Sequence, residues 1–218
     1  MIRAIVSVLV PFIIGFAFIR LLWRGAAASR AELGMQIALA AGAGFGIFSS
    51  LFFIWLLLFN TRRGFQTIAI LIATGLTAFW LFRLRARLRL AQEKRASGAG
   101  RPTKIDRIFS AGFFLSLLSA IGTFIFAELK RPHGEWDAWA SWNMRARFIY
   151  RGDNQWSTVF SKTLWYSGAD YPLLLPASVA GCWTVAGSDT QTVPALIALL
   201  FTFATVGVVA SSIAAIKG

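Results

Sequence analysis

The sequence is poor in charge, histidine and cysteine. Only 14% of its 218 residues are charged, and it has one histidine and one cysteine. Soluble domains carry about a quarter charged residues, so the composition argues against a soluble domain. A single cysteine, Cys182, excludes a disulfide framework within the chain. The sequence also offers no cluster of zinc ligands and no serine or cysteine nucleophile motif.

Apolar residues make up 57% of the chain, with a mean hydropathy of +0.64. Apolar runs approach the ~20 residues that cross a bilayer. They do not alternate as barrel strands do. We therefore predict an all-α, multi-pass bundle in the inner (plasma) membrane, forming a single transmembrane domain, 1–218, with about six transmembrane helices. The predicted spans are Ala4–Trp23, Gly34–Phe59, Phe65–Phe82, Ile108–Leu129, Tyr171–Gly187 and Val193–Ile216.

The net charge of +13 is concentrated between the third and fourth spans. The cationic residues there are Arg83, Arg85, Arg87, Arg89, Lys94, Arg95, Arg101, Lys104 and Arg107. Cationic loops are retained in the cytoplasm and contact anionic lipids, so we predict a cytoplasmic loop, 83–107. No aromatic residue interleaves these charges, which argues against nucleic-acid binding. Parity then places the N-terminus and loop 130–170 outside, although Arg62 and Arg63 would lie in a short outer loop.

The second span contains three closely spaced glycines. A phosphate-binding loop would need a strand before it and a helix starting at it, whereas these glycines lie within an apolar run. The spacing Gly42-x-x-x-Gly46 instead predicts close packing against another helix.

The outer loop is rich in tryptophan, which favours the headgroup region. Five of the nine tryptophans lie there: Trp136, Trp139, Trp142, Trp156 and Trp165. If 138–150 is helical, one face carries Trp139, Trp142, Ala146, Ile149 and Tyr150. Arg145, Arg147 and Arg151 point away from that face. The pattern predicts an interfacial helix. It fits either a plain membrane anchor or a platform that offers arginines to the phosphate of a lipid-linked substrate.

Two carboxylates, Glu135 and Asp137, precede this helix. Residues two apart on a helix point about 200° apart, but Pro132 and Gly134 favour a non-helical approach. We therefore expect both side chains to face one site. Alternatively, Asp137 caps the helix by accepting hydrogen bonds from the N–H groups of residues 139–140. Another acid, Asp170, lies at the mouth of the fifth span, where near-membrane acids often mark function.

Three stretches carry a resemblance to a known family: Gly134-Glu135-Trp136-Asp137-Ala138-Trp139, Trp142-Asn143-x-Arg145-Ala146-Arg147, and Asp170-Tyr171-Pro172-Leu173-Leu174-Leu175-Pro176. They resemble bacterial GT-C glycosyltransferases, such as the dolichyl-phosphate-mannose protein mannosyltransferases and the lipid A aminoarabinose transferases. Those enzymes are multi-pass, take a sugar from a polyprenyl-phosphate donor and carry an acidic motif in their first large outer loop. The resemblance implies the same donor for this chain, with a lipid, glycan or protein acceptor at the outer face of the membrane.

The resemblance also implies roles for individual residues. Asp137 would be the catalytic base, and Glu135 would orient it or help to bind a divalent cation. Arg145 or Arg147 would neutralise the leaving phosphate without a metal. Asp170 is a second candidate for acceptor binding. The remaining predicted substrate-binding residues are Tyr171, Trp139 and Trp142.

The chain is short beside members of these families, so we expect it to be an N-terminal fragment of a longer enzyme. Two other interpretations stay open. An O-antigen ligase or polymerase is also multi-pass with a large outer loop, but it uses arginines and histidines late in the chain. A non-catalytic transporter subunit or scaffold would favour charges or broken helices near mid-membrane.

Overall fold

The architecture is all-α, as predicted. The computed structural model describes residues 1–23, 30–91, 104–167 and 170–217, and contains no strand within those ranges. The α-helices are α1 (Ile2–Leu22), α2 (Arg30–Phe59), α3 (Phe65–Ala91), α4 (Lys104–Lys130), α5 (Met144–Gly152), α6 (Leu174–Ala186) and α7 (Thr192–Lys217). A π-helical segment, Ala138–Asn143, precedes α5, and two 3₁₀ segments, Asp153–Phe160 and Lys162–Ser167, follow it.

Five helices, α1, α2, α3, α4 and α7, are long and apolar enough to cross a membrane. The chain is therefore a multi-pass membrane protein, with five candidate spans among the described residues. The fifth predicted span, Tyr171–Gly187, is wrong as a crossing. Its helix, α6, has 13 residues and reaches about 20 Å, whereas the hydrocarbon core is about 30 Å thick. The helix starts only after Pro172 and ends at Gly187, whose φ is +76°.

The short helix α6 is enclosed by protein. Its residues are buried without interruption from Pro176 to Ala186, as expected for a helix that is apolar on all sides. On one side, the Cys182 thiol lies 3.4 Å from the carbonyl oxygen of Ser7 in α1. On the other side, the ring of Trp183 packs edge-on against Tyr150 of α5. Helix α6 therefore packs against α1 and also supports α5.

Helices α1 and α2 approach each other through glycines. A Cβ atom built on Gly44 would lie 2.1 Å from the carbonyl oxygen of Pro11, and Gly15 is equally tight. Only glycine permits this approach. By contrast, a Cβ on Gly42 or Gly46 would meet nothing within 4 Å. The predicted close packing of α2 is therefore present, but the glycine responsible is Gly44, on a different face from the predicted pair.

The predicted basic loop, 83–107, is too long. Helix α3 continues to Ala91, and α4 begins at Lys104. Arginine, leucine and alanine are all strong helix formers, and they continue the helix beyond its apolar part. Residues 92–103 lie outside the described residues. The cytoplasmic placement of this region stays a prediction.

One end of the bundle gathers the connecting segments 60–64, 131–167, 170–173 and 187–191, and is called the α5 end below. The Trp156 indole N–H donates to the Asn60 side-chain oxygen at 3.1 Å, and Arg151 donates to Asp189 at 2.8 Å. Because α1 runs antiparallel to α2, the N-terminus lies at this end as well. The structure thus groups the N-terminus with loop 130–170, as parity required; their position outside the cytoplasm stays a prediction.

Candidate functional site

The acidic pair lies where the chain turns from α4 towards α5. The turn uses Gly134, whose φ is +78°. From there the backbone is helical. The backbone carbonyl oxygen of Glu135 accepts a hydrogen bond from the N–H of Trp139 at 3.1 Å, and Asp137 has φ −62° and ψ −37°. Helical geometry points side chains two residues apart in different directions. The extended segment that would bring Glu135 and Asp137 together is therefore not present, because the non-helical approach ends at Gly134.

Neither carboxylate of the pair is held as predicted. Glu135 forms an ion pair with Arg131, one turn earlier. Asp137 is exposed and stands at the N-cap position of the π-helical segment, but its side chain makes no capping hydrogen bond, so the alternative prediction of hydrogen bonds to the N–H groups of residues 139–140 is wrong. Within the described ranges, no group of three or more His, Cys, Asp or Glu side chains could hold a metal ion. Because Glu135 and Asp137 do not converge on one position, the pair does not form a divalent-cation site.

Arg145 is the most deeply buried charged residue among those described, with 0% of its surface exposed. Its Nη1 donates to the carbonyl oxygen of Tyr171 at 2.9 Å. The prediction that Arg145 points towards lipid headgroups is therefore wrong. Helix α5 is covered both by α6 and by the 3₁₀ segment Asp153–Phe160, so it has no free polar face at this position. The π-helical segment before α5 also shifts the helical phase on which the prediction rested.

The segment that starts at Asp170 also meets the π-helical segment before α5, and its Asp170 carboxylate lies close enough to Arg145 to affect its pKa. The Trp142 and Tyr171 rings stack at 5.8 Å with an interplanar angle of 28°. Burial lowers the pKa of the Arg145 guanidinium, and the nearby Asp170 carboxylate raises it again. The structure thus brings together four of the predicted substrate-binding residues: Arg145, Trp142, Asp170 and Tyr171.

A cavity of about 390 Å³ opens beside this group, within the usual range of ligand pockets. It is called the 170–177 cavity below. Helix α2 contributes Ser49, Ser50 and Phe53, and the opposite wall is formed by Asp170 and Tyr171 followed by the start of α6. Both serine hydroxyls donate to the carbonyl oxygen of Gly46. The lining is mainly apolar, with one carboxylate, so the cavity suits an amphiphilic molecule.

The other predicted site residues lie elsewhere. Arg147 is 4.0 Å from a carboxylate oxygen of Asp189 and has its guanidinium 5.5 Å from the centre of the Trp183 ring. Burial lowers the pKa of Arg147, Asp189 raises it and Arg151 lowers it further. Trp139 is 43% exposed and packs edge-on against Trp136 at 4.9 Å. Neither Arg147 nor Trp139 lines the 170–177 cavity.

A group of polar contacts that the sequence did not predict is centred on Asp153, and is called the clamp below. Its carboxylate accepts from the Thr61 hydroxyl at 2.6 Å and from the backbone N–H of Arg62 at 3.1 Å. It also pairs with the Arg63 guanidinium at 3.1 Å. The clamp explains why two arginines are tolerated in the short loop 60–64. The signal available in the sequence was Gly152-Asp153-Asn154, a typical turn composition.

The stability that the Asp153 carboxylate gives to loop 60–64 should depend on pH. Hydrogen bonding from Thr61 lowers the Asp153 pKa, burial opposes this, and Arg62 and Arg63 lower it further. The carboxylate therefore contributes stability above its ordinary pKa of 3.8, and this is lost only as the pH falls through the lower folded value. We expect the protection of the N–H groups of loop 60–64 against hydrogen exchange, measured relative to the intrinsic rate at each pH, to persist down to about pH 4 and to fall below it.

The matched variants are Asp153→Asn and Asp153→Ala. Asparagine tolerates the positive φ of +45° at this position and still accepts two hydrogen bonds, so we expect a loss below about 1 kcal/mol. Alanine removes every acceptor and is strained at positive φ, and should cost about 2–3 kcal/mol. Thermal unfolding in detergent measures both. Equal losses of unfolding free energy in the two variants would contradict the role of Asp153 as the hydrogen-bond acceptor of the clamp.

The site thus consists of Trp142, Arg145, Asp170 and Tyr171 beside the mainly apolar 170–177 cavity. Glu135 and Asp137 lie earlier in the chain and do not line the cavity. Comparisons with protein families, with curated proteins and with solved structures find no match for this chain.

Proposed function

We propose that this chain is a membrane transferase, or part of one, that moves a sugar from a polyprenyl-phosphate donor to an acceptor at the α5 end. The observation that carries the proposal is the 170–177 cavity, which combines an apolar wall with the Asp170 carboxylate. The buried Arg145 stands directly behind it. An apolar lipid chain and a polar head require both kinds of surface within one site.

The surroundings of the cavity support chemistry at a membrane surface. Its wall includes Ser49 and Phe53, which belong to a membrane-length helix, so a lipid chain reaches it from the bilayer. The π-helical segment, Ala138–Asn143, lies next to the site, and such segments are rare and frequent at functional positions. The positive charge of Arg145 is enclosed, so it favours a phosphate in the cavity through space and not by direct contact.

In the proposed reaction, a carboxylate takes the proton of an acceptor hydroxyl as its oxygen attacks the anomeric carbon of the donor. The bond between that carbon and the phosphate oxygen breaks, and polyprenyl phosphate leaves with the electron pair. The guanidinium of Arg145, enclosed behind Tyr171, does not touch the phosphate, and its positive charge favours the developing negative charge through space. A new glycosidic bond forms, and the proton resides on the carboxylate.

Two carboxylates compete for the role of base. The resemblance assigns the role to Asp137, whose side chain is exposed at the start of the π-helical segment. The geometry favours Asp170, since it lines the cavity and Asp137 does not. Glu135 supports neither directly, because it is paired with Arg131.

A transfer assay on membranes containing the chain, with radiolabelled polyprenyl-phosphate sugars, tests the proposal. Removing a general base lowers turnover by about 10²- to 10⁴-fold, so we expect that loss for either Asp170→Asn or Asp137→Asn, but not for both. The variant of the base should still bind polyprenyl phosphate without a sugar. Asp189→Asn, at the same end but away from the cavity, is the control and should remain active.

Two results would contradict the proposal. One is the absence of transfer from every polyprenyl-phosphate sugar tested. The other is transfer that survives both aspartate substitutions unchanged, since the site then lacks the base that the reaction needs.

A further inference from the structure

A second feature of the α5 end is a cluster of four arginines, Arg62, Arg63, Arg147 and Arg151, called the arginine cluster below. Two carboxylates meet it: Asp153 pairs with Arg63, and Asp189 pairs with Arg147 and Arg151. Two positive charges remain in excess at this place. None of the four arginines lines the 170–177 cavity, so the cluster is a separate feature.

Arg62 is the member with the most unusual surroundings. The face of its guanidinium lies 4.1 Å from the centre of the Tyr150 ring, a cation–π contact. Its Nε is buried and has no hydrogen-bond partner among the described residues. Stacking occupies the face of the guanidinium and Nε is enclosed, so the terminal amino groups of this half-buried side chain are the part that can donate to the oxygens of a phosphate.

The backbone around Arg62 is fixed in a costly conformation. Among the described residues other than glycine, only Asn60 and Asp153 have a positive φ, at 51° and 45°. Both anchor the loop that carries Arg62: Asp153 binds its backbone N–H, and Asn60 binds the indole of Trp156. Such conformations cost about 1–3 kcal/mol each and tend to occur at functional sites.

The depth of the cluster favours a lipid over a soluble anion. Arg62 lies between Phe59, the last residue of one candidate span, and Phe65, the first residue of the next. A loop this short, between two membrane-length helices, keeps its side chains at headgroup level. Anionic headgroups attract clustered arginines at that level.

We propose that the arginine cluster binds the phosphate of an anionic phospholipid headgroup, with the terminal amino groups of the Arg62 guanidinium as its main hydrogen-bond donors. Arg63 and Arg151, which are 82% and 67% exposed, add positive charge at the rim. The bound lipid fastens loop 60–64 and the end of α5 to the membrane surface. This role does not depend on the transferase reaction.

Binding of fluorescent phosphatidylglycerol to the purified chain in neutral detergent tests the proposal, with fluorescent phosphatidylcholine as the uncharged comparison. Arg62→Gln removes a charged hydrogen bond and should weaken phosphatidylglycerol binding about tenfold. Arg62→Lys keeps the charge but loses the planar fork, so it should bind with intermediate affinity. Arg131→Gln removes one charge from the same end and should change the affinity by less than about twofold.

Three outcomes would overturn the inference. Equal binding of the two lipids would remove the headgroup preference. Equal losses in Arg62→Gln and Arg131→Gln would reduce the effect to net charge. Inorganic phosphate that binds in an Arg62-dependent way and displaces the lipid at low concentration would identify a soluble anion as the ligand. Circular dichroism of each variant verifies that its helices are intact.

Discussion

Replacing Gly44 with alanine is expected to force α1 away from α2 and to destabilise the bundle by about 3 kcal/mol or more. A Cβ atom at Gly44 would lie 2.1 Å from the carbonyl oxygen of Pro11, and one at Gly15 would lie 2.0 Å from that of Ala40. These obstacles are backbone atoms, which cannot rotate out of the way. The helices must therefore separate, and the contacts along their whole interface weaken.

Titration of the folded protein with a denaturing detergent measures this loss, as a fall of about a hundredfold or more in the ratio of folded to unfolded chain. Gly42→Ala and Gly46→Ala are matched controls in the same helix, since a Cβ at either position meets nothing within 4 Å. Alanine is the better helix former, so both controls should be as stable as the parent or slightly more so. A Gly44→Ala protein as stable as these controls would contradict the interface.

The glycines of α2 illustrate what a sequence can and cannot predict about helix packing. The run of small residues indicates that another helix comes close. It does not identify the face, because that depends on which helix is the neighbour. Gly42 and Gly46 have the familiar spacing, yet the neighbour lies across Gly44, about 200° around the helix from Gly42. Only the position of Pro11 in the fold decides this.

Hydropathy predicted five of the membrane helices because each has an apolar run of sufficient length. It failed for Tyr171–Gly187 because protein, and not lipid, covers the apolar surface of α6. The run of 17 residues is at the lower limit for a crossing, and Pro172 and Gly187 shorten the helix at both ends. For a short apolar run, the length that remains between such helix-breaking residues is a better criterion for a membrane crossing than the length of the whole run.

The candidate site was predicted in part. Periodicity correctly placed Ala146, Ile149 and Tyr150 on the buried face of α5. It placed Arg145 on the polar face, and the structure buries it. The partner of Arg145 is a carbonyl oxygen 26 residues later in the chain, a contact that depends on α6 lying beside α5. No local pattern in the sequence reports that arrangement.

Replacing Arg145 with methionine is expected to release the segment that carries Asp170 while leaving the bundle folded. The charged hydrogen bond to Tyr171 holds this segment, and losing such a bond costs about 1.5–3 kcal/mol. Burial disfavours the charged guanidinium and lowers its pKa. Removing the charge also removes this unfavourable desolvation, which offsets part of the loss in the free energy of unfolding. Local opening should therefore increase more than global unfolding does.

Hydrogen exchange measured on peptides covering 170–177 should accelerate about tenfold or more in Arg145→Met, with a change in global stability below about 1 kcal/mol. Transfer activity, where present, should fall with it, because the cavity wall that contains Asp170 is no longer fixed. Arg147→Met is the control two residues along the same helix: its contact with Asp189 is long, at 4.0 Å, and Arg151 holds the same carboxylate at 2.6 Å. Exchange at 170–177 should be unaffected there. If both variants accelerate exchange equally, Arg145 is not what positions Asp170; if Arg145→Met unfolds the bundle, its role is global rather than local.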